Sequence, residues 1–223
     1  MARFSGRKFF CAVILMAVGL AGAAIPALAA PTIMGSTGLI AVPSADVLPS
    51  GQFDAGYHFL DGIHFFTFNM ALTRDLEMGL TVDTVGQYNG LFIGGKYRLL
   101  AEAKDKPGIA FGLQAPLRGE SGPNLYAVAS KQFPDFGIRG HLGVGTGDGI
   151  FFGVSKELNT VSVSRPGRSA AVPPATLIGE FDGHGINLGA RFAVSRELAV
   201  DAALMDLGGG NNGMLGVSYT AKF

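Results

Sequence analysis

The chain has 223 residues, 17 basic and 17 acidic, with one cysteine, no tryptophan and 34 glycines. Hydrophobic residues make up 48 % of it, yet past Ala30 no run approaches the roughly 20 apolar residues that a membrane helix needs. A single cysteine excludes a disulfide framework, and without a basic stripe the chain is no candidate for binding nucleic acid.

The one long apolar run lies at the start. Arg3, Arg7 and Lys8 form a positive region, Phe9 to Leu20 an apolar one, and Ala27-Leu28-Ala29 a small-x-small cleavage site. This is the layout of a signal peptide over residues 1–29, cut after Ala29 or Ala30. Cys11 follows Phe9-Phe10 and precedes more apolar sequence, so it is not a lipidation site. Removing the leader takes Arg3, Arg7 and Lys8 away, leaving 14 basic against 17 acidic residues, a net charge of −3.

Residues 30–50 hold Pro31, Pro43 and Pro49 with Gly35 and Gly38, which disfavours a continuous ladder strand. They are expected as an extended lead-in at the periplasmic rim or entering a lumen, with a short strand at Gly38–Val42. From Gly51 to Phe223, alternation with a period of two recurs in segments close to the 9–11 residues of a membrane strand. Gln52–Leu60 sets Phe53, Ala55, Tyr57 and Phe59 against Asp54, Gly56 and His58. Ile63–Leu72 sets Phe66, Phe68 and Met70 against Thr67, Asn69 and Ala71. Leu76–Asp83 and Leu91–Leu99 follow, with Glu77, Thr81, Asp83, Lys96 and Arg98 on their polar sides. Ile109–Ala115 and Ile138–Val144 carry Gln114, Arg139 and His141. Asn124–Phe133 and Gly149–Lys156 read as strands whose faces the pattern does not assign. Leu177–Asp182, Gly185–Val194 and Leu198–Met205 place Glu180, Asp182, Asn187, Arg191 and Asp201 on the polar side. Gly213–Phe223 makes twelve, with Tyr219 and Phe223 on its apolar face.

The connections alternate in character. Six links are rich in Gly, Asn or Asp, such as L-D-G-I and T-G-D-G, as hairpin turns are. A second signature recurs at T-R-D-L (73–76), S-K-Q-F (130–133), S-K-E-L (155–158) and S-R-E-L (195–198), expected as turns on the opposite, periplasmic rim. The link 159–174, with three prolines, is expected as a mobile loop. An even count of alternating strands and apolar outer faces predicts a single antiparallel up-and-down transmembrane β-barrel, because backbone in hydrocarbon must satisfy every N–H and C=O internally. A secreted soluble sandwich would instead carry polar outer faces.

Gly35–Tyr57, reading G-S-T-G-L-I-A-V-P-S-A-D-V-L-P-S-G-Q-F-D-A-G-Y, resembles the opening of the YjbH family of bacterial envelope proteins. L-I-G-E-F-D-G (177–183) and I-N-L-G-A-R-F (186–192) are similar to two further motifs of that family. The resemblance implies an outer-membrane barrel of a two-membrane bacterium connected with exopolysaccharide production or export. The C-terminal strand resembles the closing strand of such barrels, whose terminal aromatics, here Tyr219 and Phe223, serve as an assembly signal. The expected partners are therefore outer-membrane lipid, the barrel assembly machinery and a polysaccharide or its export proteins.

Candidate lumen-lining residues are Asp54, His58, Glu77, Asp83, Lys96, Arg98, Arg139, His141, Glu180, Asp182, Arg191 and Asp201, with Lys222 at the end and Phe65, Phe92 and Phe151 inward by parity. Two readings follow. These charges either plug a narrow lumen through salt bridges or line a polar conduit for a glycan. The four histidines lack metal spacing, no nucleophile elbow surrounds Ser155, and G-V-G-T-G-D-G (143–149) precedes no helix, so neither cofactor, metal nor catalytic residue is expected. A Ser-His pair formed across neighbouring strands remains the one enzymatic alternative, a hydrolase.

Overall fold

The computed structural model describes residues 30–84, 90–118, 122–158, 162–165, 168–171 and 173–223. The leader and residues 85–89, which hold most of the G-Q-Y-N-G link, lie outside them. The strands are β1 (Gln52–Leu60), β2 (Ile63–Ala71), β3 (Leu76–Asp83), β4 (Gly90–Leu100), β5 (Gly108–Pro116), β6 (Asn124–Phe133) and β7 (Ile138–Gly145). They continue as β8 (Gly149–Leu158), β9 (Ser162–Arg165), β10 (Arg168–Ala171), β11 (Ala175–Phe181), β12 (Ile186–Ala193), β13 (Leu198–Met205) and β14 (Asn212–Lys222). Twelve of them form one closed antiparallel barrel, with β8 pairing to β11 and β1 closing on β14 from Gln52↔Lys222 to Leu60↔Met214. β9 and β10 form a separate two-stranded hairpin, so part of the link expected as a mobile loop is paired with itself.

The turns explain themselves chemically. Asp61 and Gly62 both have positive φ, 47° and 86°, the backbone of a tight primed hairpin whose twist matches its strands. At Ser195 the hydroxyl accepts the amides of Glu197 and Leu198, and at Thr73 it accepts that of Asp75. The small hydroxyl thus closes the turn locally. The other two copies of this signature are not turns. Ser130–Phe133 finishes β6, Ser155–Leu158 finishes β8, and the β6–β7 connection is the short 3-10 turn Pro134–Phe136 ended by Gly137.

Phe66, Tyr97, Phe111, Leu125, Ile150, Leu177 and Leu188 are exposed on the outside at strand height. Apolar side chains outside and polar ones inside, on a sheet without edges, suit a barrel surrounded by lipid. Tyr219 and Phe223 continue this outer face, and Lys222 is exposed at the rim.

The lead-in takes the second of its two expected places, inside the barrel, but it is neither extended nor a strand. Isolated bridges Pro31↔Thr37 and Gly38↔Pro43 fold it back on itself, and Ala30, Thr32, Leu39, Ile40, Val42, Ala45 and Leu48 are buried. Its apolar residues share one core with the inner wall. Leu39, Ile40 and Val42 belong to the same cluster as Tyr126, Val128, Phe151, Ile178 and Met214. A Cβ added to Gly153 would meet Leu39 Cδ1 at 2.3 Å, so the wall there must be bare for the lead-in to fit. This also fixes the two unassigned strands: Tyr126, Val128 and Ser130 of β6 and Phe151 and Gly153 of β8 face inward.

Candidate functional site

The inward charges converge on the backbone of the lead-in. Glu77 and Lys96 stand opposite each other on β3 and β4 and pair at 3.1 Å, both almost fully buried. Glu77 accepts the Thr37 amide at 3.0 Å, the Thr37 hydroxyl at 2.6 Å and the Leu48 amide at 2.9 Å. Lys96 Nζ donates to the Thr37 carbonyl at 2.6 Å. One ion pair therefore grips the amide, hydroxyl and carbonyl of a single residue.

Glu180 does the same at another wall. Its carboxylate accepts three successive amides, Ile40 at 3.2 Å, Ala41 at 2.8 Å and Val42 at 3.3 Å, and the Asn187 side chain at 3.1 Å. Arg191 of β12 and Asp201 of β13 are register partners joined through two hydrogen bonds, 2.8 and 3.1 Å. The rest of the Arg191 fork donates to the Gly38 and Leu39 carbonyls, each at 2.9 Å. A carboxylate on consecutive N–H groups and a guanidinium on consecutive C=O groups are charge-assisted contacts, roughly twice as strong as neutral ones. They supply partners that the proline-rich lead-in could not find in a sheet.

Neutral groups complete the set. Thr81 and Gln114 donate to the Met34 carbonyl, Asn69 donates to the Gly35 carbonyl, and Ser36 meets the Tyr126 hydroxyl at 2.9 Å. Ser130 accepts the Ala45 amide at 2.8 Å while bonding His141 Nδ1 at 2.8 Å. This is the cross-strand Ser-His pair that the sequence left open. Its hydroxyl is buried against the lead-in and used to hold it.

Of the twelve candidate residues, Asp54, His58, Glu77, Asp83, Lys96, His141, Glu180, Arg191 and Asp201 are buried within the barrel. The other three sit at its ends. Arg98 bonds Asp75 and the Arg74 carbonyl in the β2–β3 turn, and Arg139 bridges Asp46 and Glu102. Asp182 caps the β11–β12 turn through the amides of His184 and Gly185. Burial pushes the Asp182 carboxyl up, but those amides and the Asn187 side chain outweigh it and hold it below its ordinary value. Phe65 and Phe151 are buried and Phe92 is half-buried. Thr37, Asn69, Thr81, Gln114, Tyr126, Ser130 and Asn187 were not singled out from sequence. All but Thr37 and the two residues of the unassigned β6 were nevertheless on polar faces.

Against the lead-in, and reaching to the glycine-rich loops, lies a cavity of about 320 Å³ whose walls include Met34, Ser36, Gln114, Asn124, Asp148 and His184. Among the described residues, no group of three His, Cys, Asp or Glu side chains is placed to hold a metal ion.

The fold is similar to the outer membrane protein Omp33 of Acinetobacter baumannii, at TM-score 0.46 and 9 % identity, covering 77 % of this chain and 97 % of that one. It is similar also to the KdgM porin, at TM-score 0.48 and 11 % identity, covering 77 % and 99 %. No curated protein sequence is a significant match. The family assignment rests instead on sequence: the profile described as "Exopolysaccharide biosynthesis protein YbjH" matches residues 32–183. That stretch runs from the lead-in through Glu77, Lys96 and Glu180 and covers about two thirds of the chain. The protein belongs to the YjbH family.

Proposed function

We propose that this barrel acts at the outer membrane as an auxiliary of exopolysaccharide production, docking glycan or export partners at its outer end with its lumen closed at rest. The observation that carries the reading is the clamp on the lead-in by Glu77–Lys96, Glu180 and Arg191–Asp201. A passage lined by free charges would leave those groups to water and substrate, whereas here they are spent on the chain's own backbone. The cavity at the loop end, about 320 Å³, falls at the small end of the roughly 300–1,000 Å³ typical of ligand sites. Its amide, carboxylate and imidazole groups suit the hydroxyls of a sugar. Family membership supplies the link to exopolysaccharide.

Deleting the gene and analysing surface glycan tests the role. Loss or shortening of a surface polysaccharide, restored by the wild-type gene, is the expected result, and an unchanged glycan overturns it. A purely structural or adhesive barrel is the competing reading, favoured by the same closed lumen. It predicts unchanged glycan together with altered envelope integrity or surface attachment.

A further inference from the structure

Among the described residues, five buried carboxylates (Asp54, Glu77, Asp83, Glu180 and Asp201) face two buried cations, Lys96 and Arg191. Glu77 and Asp201 take those cations, Glu180 takes three backbone amides, and Asp83 receives the Gly90 amide at 2.9 Å. Asp54 is different. It is 0 % exposed, its Oδ1 has only the Asn69 side-chain amide at 3.0 Å, and its Oδ2 has no hydrogen-bond partner. Both ring nitrogens of His58 and the Thr67 hydroxyl are buried and unpartnered as well.

His58 and Thr67 border one spot, and Asp54 lies two residues before Gly56 on the same inward face of β1. Gly56 lies between Asp54 and His58 on β1 and faces Thr67 on β2. A Cβ built on it would lie 2.5 Å from Thr67 Oγ1, 3.0 Å from His58 Nε2 and 3.1 Å from Pro31 Cγ. Pro31 therefore sits beside His58 and Thr67, and Ala30, 1 % exposed, directly precedes it. Buried polar groups without partners are rare in folded proteins, and a buried carboxylate without a cation is costlier still.

We infer that the Asp54–His58–Thr67 group is a receptor for the α-ammonium of Ala30, so that removal of the leader completes the lumen. Water hydrolyses the Ala29–Ala30 peptide bond, the new carboxylate departs with the leader, and the freed amine takes up a proton. A neutral amide with one N–H becomes a cation with three. It ion-pairs with Asp54 and donates to the Thr67 hydroxyl and to a neutral His58 nitrogen, pinning the first residue of the plug. The inference rests on the reading of residues 30–49 as a plug held in the lumen.

The test is acylation of the mature protein, purified folded in detergent, with N-hydroxysuccinimidyl acetate, followed by mass spectrometry of its peptides. Lys96 is the internal control, since its amine is buried only while the lead-in is in place. The Ala30 amine should react about 100-fold more slowly in the folded barrel than in urea, as a buried group does. In Asp54→Asn that protection should fall about tenfold, as loss of a charge partner loosens a site, with Lys96 still protected. Should Asp54→Asn fail to assemble, a chain with Gly-Ser ahead of Ala30 replaces it, and its displaced amine should label at the rate seen in urea. Rapid labelling of Ala30 beside a protected Lys96 overturns this inference alone. So does a mature terminus other than Ala30, or equal protection of the displaced amine. Rapid labelling of both amines overturns the plug itself.

Discussion

Changing Glu180 to alanine removes the acceptor for the amides of Ile40, Ala41 and Val42 in one step. Ile40 and Val42 are buried and Ala41 half-buried, so at least two N–H groups lose their partner away from solvent. Each such orphan costs about 1–3 kcal/mol. Relief of the carboxylate's own desolvation returns part of this, leaving a net loss of about 2–4 kcal/mol. Glu180→Gln keeps an acceptor oxygen in place and should lose about 1–2 kcal/mol. Melting of the folded form, followed by its shift on unheated gels, reads the effect at about 2–4 °C per kcal/mol for a chain of this size. Limited proteolysis reads it directly, because a released lead-in is cut while the barrel is not. If Glu180→Ala melts with wild type and its lead-in resists protease equally, the clamp does not hold the plug.

Three further outcomes follow from the same geometry. Lys96→Met strands the Glu77 carboxylate without a cation and should destabilise the folded form by about 3–5 kcal/mol, more than Glu180→Gln, in the same melting assay. Gly153→Val puts a side chain where Leu39 Cδ1 now lies, 2.3 Å from the new Cβ. It should therefore raise protease cleavage within residues 30–49 while leaving the barrel's own strand content, read by circular dichroism, unchanged. At the rim, hydrogen bonding from Arg98 chiefly, with Arg74 adding to it, holds the Asp75 carboxyl below its ordinary value. A depressed carboxyl stabilises the folded state above its unfolded value, about 3.9, and loses that contribution as pH falls through the lower folded value. The melting temperature of Asp75→Asn should then lie below wild type by a constant amount from pH 8 to 5, and the gap should close only in stronger acid.

The barrel was legible because lipid outside and charge inside impose a strict alternation, which is why Gln52–Leu60, Leu76–Asp83 and Leu198–Met205 end where the pattern ends. The same logic blurred β6 and β8. Tyr126, Val128 and Phe151 face inward onto Leu39, Ile40 and Val42, so both sides of those strands are apolar and a period of two carries no contrast. The lead-in's path was hidden for another reason. Its order comes from side chains far along the chain, Glu180 on Ala41 and Arg191 on Leu39, and no local periodicity records such contacts. Yet the three stretches that carry the family resemblance, 35–57, 177–183 and 186–192, are among those that meet in the lumen. Parity alone placed Arg98 and Arg139 inward. At a strand end, Arg98 reaches the rim carboxylate of Asp75 instead, whereas Arg139 pairs with Asp46 of the lead-in and with Glu102.

The closed lumen is the claim on which the rest stands, and electrical recording from the purified mature protein in planar bilayers tests it most directly. The account predicts silence from wild type and intermittent openings from Glu180→Ala, in which the hold on residues 40–42 is gone. Steady ohmic conductance through the unaltered protein would contradict it.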